Sequence, residues 1–415
     1  MGMSIRALGL IVIVFVMGAI ITSCSLLPIE RIEVILSPGG TVVGANVVFK
    51  ANASVSAERI IDYFWDFGDG AKGNGQTTSH VFSTPGKYVI QVNIALTNNS
   101  LLVFTRRVTV IGRLIAYRCN DGDDEICVIR SDGTGSLQLT NNSFFDRDPA
   151  INASGLVAYT CREGGSDNEI CVINADGTGF LQLTNNSDDD TLPLGSHSPL
   201  NDSGQIAYEC RDGGSNDEIC VIRSDGTGFL HLTTNNTNND ADASINGSGQ
   251  IAYFCSDGDY EICVNNFNDT GYQQLTNNSV VDSNPSINDS GRIAYRCENI
   301  TFKVCARNFD GSGFIELANG GVSDPLPAIN SGGKVAFECS DGDEEICVIN
   351  DNGSGFLQLT HNSTEDRFPA IFDTGLIAYV CNDGSDDEIC VINADGTGFQ
   401  QLTNNSTTDT EPAIQ

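Results

Sequence analysis

A pair of cysteines returns seven times in this 415-residue chain, each time at the same place in a repeated stretch. The first copy, LIAYRCNDGDDEICVIRSDGTGSLQLT, runs from Leu114 to Thr140. One cysteine ends an alternating apolar run, and the second follows after seven to nine intervening residues. The pairs are Cys119/Cys127, Cys161/Cys171, Cys210/Cys220, Cys255/Cys263, Cys297/Cys305, Cys339/Cys347 and Cys381/Cys390, which leaves Cys24 over. The first cysteines are spaced by 42, 49, 45, 42, 42 and 42 residues. A period of that size, with only strand and turn signals inside it, requires a stacked or radial array of small sheets.

One full unit reads PAINASG, LVAYTC, REGGSDNE, ICVINADG, TGFLQLTNN. That is four short strands joined by a Ser-Gly turn, an acidic loop, an Asp-Gly turn and an Asn-rich loop. The pattern of IAY, then DG…EICVINADGTG…QLT, resembles the TolB-like propeller repeat, a relative of the WD repeat, over about three quarters of the chain. The resemblance implies a β-propeller; the cysteines depart from it. The first copy opens at its second strand, at Gly112 to Ile115, and the chain stops on an isolated first strand, Glu411 to Gln415. Pairing Pro412 to Gln415 beside Leu114 to Cys119 would complete blade one, whereas an open solenoid would leave an exposed edge. The expectation is a seven-bladed propeller closed by its C-terminal strand.

The cysteines fit one disulfide per blade. Cys119 shares parity with Ile115 and Tyr117, and Cys127 with Ile129, so both can face one side of a hairpin. Thiolate zinc sites space their first pair by two to four residues and recruit histidine, which this pattern does not. Closing so short a loop contributes about 2.5 kcal/mol per bridge at most on the chain-entropy model.

Residues 1–23 have the form of an export signal: a short basic start followed by the apolar run from Ala7 to Ile21. Fifteen apolar residues are fewer than the roughly 20 of a bilayer span. Ile21-Thr22-Ser23-Cys24 resembles a prokaryotic lipobox, which implies a lipidated Cys24, a linker over 24–30 and anchoring on the outer face of the cell membrane or envelope. Export would supply the oxidising compartment that disulfides need.

Between 31 and 111 the alternation again has period two. WDFGDG at Trp65 and SHVFSTPGKYVIQV at Ser79 resemble the PKD (polycystic kidney disease) domain, an immunoglobulin-like β-sandwich used as a spacer or binding module. Trp65 and Phe67 are expected in its core, with His80 in a structural role. Asp66 and Asp69 are expected to form the tight turn, with calcium as the alternative occupant of that pair. The whole chain is thus expected to be all-β.

The formal charge of −33 is unevenly placed. Residues 31–111 hold seven basic and five acidic side chains, and residues 112–415 hold 13 and 48. The loops between second and third strands, and those between blades, emerge on one side of a propeller and carry runs such as Asp121, Asp123, Asp124, Glu125; Asp341, Asp343, Glu344, Glu345; and Asp188 to Asp190. A face so negative excludes nucleic acid and disfavours polyanions. DGDDE lacks the alternating spacing of a dedicated calcium loop, so calcium is a secondary expectation. Blade five differs: CENITFKVC brings Phe302 and Lys303 into a less acidic sector, expected to contact a partner or the first domain.

Catalysis is not expected. No nucleophile elbow, phosphate loop or compact metal triad is present, and His197 with Asp190 is the one local candidate. The favoured function is a monomeric, lipid-anchored extracytoplasmic binding or scaffold protein. Its sandwich would act as a stalk, and its propeller would meet an envelope or extracellular protein or a surface polysaccharide. The alternatives are a polysaccharide lyase-like enzyme and a calcium-dependent adhesion protein. Histidine or arginine in the central channel would favour the lyase; serine, asparagine and backbone would favour binding.

Overall fold

The computed structural model describes residues 32–37, 46–53, 59–82, 86–162, 167–194, 198–211, 216–234, 239–256, 258–298, 302–319, 325–340, 342–382 and 384–414. Cys24, His197 and Asp341 lie outside them, as does the side chain of Phe302. No helix among the described residues is long and apolar enough to cross a membrane.

The first domain is a sandwich of two antiparallel sheets. One pairs Ile32–Ser37, Asn46–Ala53 and Thr77–Val81; the other runs Lys72–Asn74, Ile60–Asp66, Gly86–Leu96, Leu101–Val110. Period-two alternation sends Phe49, Trp65, Phe67, Ile90, Val92 and Ile94 into one core. His80 stacks on Phe67 with ring centres 4.2 Å apart, and its Nε2 lies 2.6 Å from Asp69 Oδ2. Asp66 Oδ1 accepts from Gly68 N, and Asp69 Oδ1 accepts from Ala71 N, both at 3.0 Å. These bonds fold the WDFGDG turn. Gly68 is required there: its φ is +81°, and a Cβ would sit 2.9 Å from the Val89 carbonyl oxygen.

The repeats form seven small antiparallel sheets in a ring. Blade two is representative, with Arg147–Ile151, Leu156–Cys161, Glu169–Asn174 and Leu181–Gln182 in consecutive order. The first strands touch their counterparts in neighbouring blades. With Ile151, Leu200, Ile329, Ile371, Ile414, Ser198 and Ser286 they enclose a narrow channel of about 30 Å³. Blade three is the variant. Its sheet has three strands, and its innermost position is held by the bridges Leu200↔Ile206 and Thr191↔Glu209. The longer spacing before Cys210 interrupts the strand there.

Ring closure follows the expected exchange. Thr410–Ile414 pairs antiparallel with Leu114–Asn120, with Ile414 opposite Ile115 and Ala413 opposite Ala116. A polar clasp reinforces the pairing. Arg118 Nη1 lies 3.1 Å from Glu411 Oε1, Arg118 Nε donates to Thr410 Oγ1 at 3.0 Å, and Asp148 N donates to Glu411 Oε2 at 3.0 Å.

Each blade carries one disulfide between its second and third strands. The bonds are Cys119–Cys127, Cys161–Cys171, Cys210–Cys220, Cys255–Cys263, Cys297–Cys305, Cys339–Cys347 and Cys381–Cys390. The bridge is diagonal: Cys119 lies opposite Glu125, while Cys127 lies opposite Tyr117. Cys171 faces Tyr159, Cys305 faces Tyr295 and Cys390 faces Tyr379 in the same way.

The expected staples all form within their hairpins, and the structure adds a second role for them. The third-strand members Cys171, Cys220, Cys263, Cys305, Cys347 and Cys390 are buried, because that strand is flanked by two others and covered by the preceding blade. Cys171 packs with Tyr159 and with Ala116, Ile126 and Val128 of blade one. Cys305 packs with Tyr295 and with Ala252, Ile262 and Val264 of blade four. Cys390 packs with Tyr379 and with Ala336, Ile346 and Val348 of blade six. One bridge therefore fixes a hairpin and fills an inter-blade core. Cys210 and Cys220 also gather with His231 in metal-ligand proximity, but their two sulfurs are bonded to each other.

Candidate functional site

The acidic loops divide into carboxylates that face water and carboxylates that do not. Glu125, expected on the binding face, is buried. Its Oε2 accepts from Thr140 Oγ1 at 2.5 Å and its Oε1 from Asn142 N at 2.7 Å, while Asn142 Nδ2 donates to Asp146 Oδ2 at 2.9 Å. The same tie joins Glu169 to Asn186 and Asp190, Glu261 to Asn278 and Asp282, Glu345 to Asn362 and Asp366, and Glu388 to Asn405 and Asp409. Burial pushes these carboxyls up: Asp190 and Asp366 to about 7, Asp282 and Asp409 to about 6. Glu125, Glu345 and Asp190 thus leave the acidic face. The reason is position: the loop's last glutamate already belongs to the third strand, and its carboxylate satisfies loop donors that water cannot reach. Asp190 is committed to this tie.

The remaining predicted residues are scattered. Asp121, Asp123 and Glu125 each offer an oxygen within 4.8 Å of the others. Yet Asp121 Oδ2 accepts from Gln138 Nε2 at 2.8 Å, and both oxygens of Glu125 are used. Asp124 lies 3.6 Å from Arg118 Nη1. Asp343 is half-buried beside exposed Gly342 in blade six, remote in sequence from the first group. Lys303 Nζ pairs with Glu316 Oε1 at 2.7 Å.

A concavity opens elsewhere, at the channel mouth formed by the turns between first and second strands. The asparagine that ends PAIN or PSIN makes it. Asn152 Nδ2 donates to the Asn201 carbonyl at 3.2 Å, and Asn201 to that of Asn246 at 3.0 Å. Asn246 continues to Asn288 at 3.0 Å, Asn288 to Asn330 at 2.9 Å, and Asn330 to the Phe372 carbonyl at 3.0 Å. Each Oδ1 folds its own turn, as where Asn246 Oδ1 accepts from Ser248 N at 3.1 Å and Gln250 N at 2.9 Å. A chain of amides thereby links six consecutive blades. Sequence patterning identifies only turns here, and the signal for the amide chain is an asparagine recurring at one position of five copies.

Blade one has no such asparagine, because its turn is replaced by the junction of Gly112-Arg113 with the closing strand. Arg113 fills the gap. Its guanidinium lies 3.9 Å from the centre of the Phe372 ring, and burial lowers its pKa while Asp373 and Asp202 counter that shift. Asp202, Asp289 and Asp373 stand on the rim, accepting from Ala153 N, Gly247 N and Ser331 N at 2.8–2.9 Å. Together with an isoleucine floor these residues surround about 290 Å³. The funnel offers carboxylates, amides and an apolar base. Among its described lining residues there is no histidine and no nucleophile next to a base.

Residues 35–110 match the PKD domain family. No curated protein matches the chain. TolB from Acinetobacter baumannii is similar at 13% identity, with 80% of each chain covered and a TM-score of 0.49. Oligogalacturonate lyase from Vibrio parahaemolyticus is similar at 10% identity over 87% of this chain and 96% of that one, with a TM-score of 0.51. Puromycin hydrolase reaches a TM-score of 0.54 at 10% identity over 72% of this chain, which spans 53% of the hydrolase. At such identities the likeness is one of fold: a PKD domain followed by seven disulfide-bearing, propeller-like sheets.

Proposed function

We propose that this chain is a non-catalytic, extracytoplasmic binding and scaffold protein, held to the membrane through a lipidated Cys24 and presenting its propeller on the PKD stalk. The composition of the channel mouth carries this reading. Among the described residues its wall is asparagine, serine, aspartate, isoleucine and backbone, and the one cation among them, Arg113, is stacked on Phe372 between Asp373 and Asp202. A lyase needs a base poised over an exposed sugar carbon and a cation free to hold the substrate carboxylate. Seven disulfides fit an oxidising compartment outside the cytoplasm.

The test is affinity capture from intact envelopes with the full chain, in calcium and in chelator, using Asp202→Asn/Asp373→Asn as the comparison. A partner captured by the native protein and lost in the double variant supports the reading. Release of unsaturated uronate from an acidic polysaccharide, seen by ultraviolet absorbance, would overturn it in favour of the lyase.

A further inference from the structure

Blade five breaks the repeat at three positions that the fold brings together. Lys303 stands where six blades carry a buried glutamate, which makes the loop tie in five of them. Arg307 stands where five blades carry isoleucine and blade four carries Asn265. Glu316 replaces a glutamine or, in blade three, His231. With the loop of blade four they line a cavity of about 180 Å³, between Asn278 and Asp282 on one side and Tyr295 and Phe314 on the other.

The charges inside are one ion pair and one arginine that acts electrostatically on the Asp282 carboxyl. Lys303 Nζ is 2.7 Å from Glu316 Oε1, while Arg307 donates to the Leu275 carbonyl and bonds the Tyr295 hydroxyl. Arg307 Nε is buried and finds no partner among the described residues, so one donor is unspent. Its guanidinium carbon lies 5.5 Å from the centre of the Phe314 ring. That ring is 57% exposed. Phe180, Phe229, Tyr272, Phe356 and Phe399 are exposed at the equivalent position of other blades, so the aromatic alone marks nothing. What is particular to blade five is a ring edging a cavity of fixed, balanced donors and acceptors.

We propose that this inter-blade groove binds one uncharged sugar unit of a surface glycan. An apolar sugar face would lie on Phe314, and its hydroxyls would meet Glu316 and Lys303, with the Arg307 donor reached by a turn of the guanidinium on binding. Carboxylates and cationic side chains held side by side match the alternating donors and acceptors of neighbouring hydroxyls. The ligand should be neutral because Lys303 already pairs with Glu316, the Arg307 charge acts on Asp282, and the strongly negative ring repels polyanions. The volume lies below the roughly 300 Å³ at which pockets for drug-sized molecules begin, which suits a single ring. The inference deepens the binding reading above by naming a ligand class and a second site.

Saturation-transfer NMR on the full chain tests it, with maltotriose, cellotriose and chitotriose as neutral probes and an alginate trimer as the anionic one. Transfer to a neutral trimer is expected, and it should weaken about tenfold or more in Phe314→Ala. It should weaken likewise in Lys303→Glu/Arg307→Ile/Glu316→Gln, which restores residues other blades already fold around. Asp202→Asn/Asp373→Asn should leave the signal unchanged. Transfer to no neutral trimer overturns the proposal, as does a signal indifferent to both groove variants. Loss only in the channel-mouth variant would put the sugar at the mouth, refuting the groove and sparing the broader binding function. A protein partner lost from Arg307→Ile, with no sugar signal, would show the groove to be a side-chain pocket instead.

Discussion

Asp190 and Asp366 are raised to about 7, and Asp282 and Asp409 to about 6, because burial disfavours their charged forms. In the unfolded chain an aspartate titrates near 3.9. Between those values the folded state holds more protons, so the contribution of these groups is full below about pH 4 and declines as pH rises through 6–7. The melting temperature should therefore be higher at about pH 5 than at about pH 8, opposite to what salt-bridged carboxylates would give. Asp366→Asn, which mimics the protonated acid, should flatten that slope and raise stability above pH 7. A flat profile in the native protein would refute the account. The amide ring makes a second prediction. Asn288→Ala frees the Asn330 carbonyl and the turn donors Ser290 N and Arg292 N at a buried site, which should cost about 1–3 kcal/mol in denaturant unfolding.

At the scale of the strand and hairpin, most of the architecture was legible and the polar ties were not. Period-two alternation and the Asp-Gly turns located the hairpins, and cysteine parity located the bridges, because both depend on local geometry that the sequence encodes directly. The burial of Cys171, Cys305 and Cys390 against the preceding blade was not legible, since it depends on how neighbouring sheets stack. Asp124 and Glu125 mark the same limit. They are adjacent and chemically alike, yet Asp124 faces Arg118 at the surface while Glu125 is buried against Thr140. Only the strand's starting point, at Asp124, decides between them, and Glu125 then shares the parity of Cys127. The channel mouth was illegible for another reason: its amide chain links residues 42–49 apart, and Arg113 stands where the other six copies carry a glycine. At this scale the disulfides predict a measurable increment. Replacing Cys339 and Cys347 together by serine should lower unfolding free energy by up to about 2.5 kcal/mol, leaving the other six blades oxidised. No change in urea unfolding would mean that inter-blade packing alone fixes the hairpin.

A ring of blades that touch only their neighbours has stability close to a sum of blade and interface terms, and an open array of this kind frays from its ends. Closure removes the ends. Here it depends on five residues, Thr410–Ile414, which supply the innermost strand of blade one and carry Glu411 to Arg118 and to the backbone of Asp148. Glu411→Gln weakens the ion pair but keeps the strand, so a loss of about 1–3 kcal/mol is expected with unfolding still cooperative. Truncation after Asp409 has a different consequence. It strips the partner edge from Ile115 and Ala116, opens one side of the channel and leaves blades one and seven as termini. Hydrogen exchange should then show those two blades losing protection first, with intermediate values along the array and a broadened thermal transition, while blade four stays closest to native. If the truncated chain melts in one sharp step, with protection lost evenly around the ring, the exchanged strand is an ornament and the blades cohere without it.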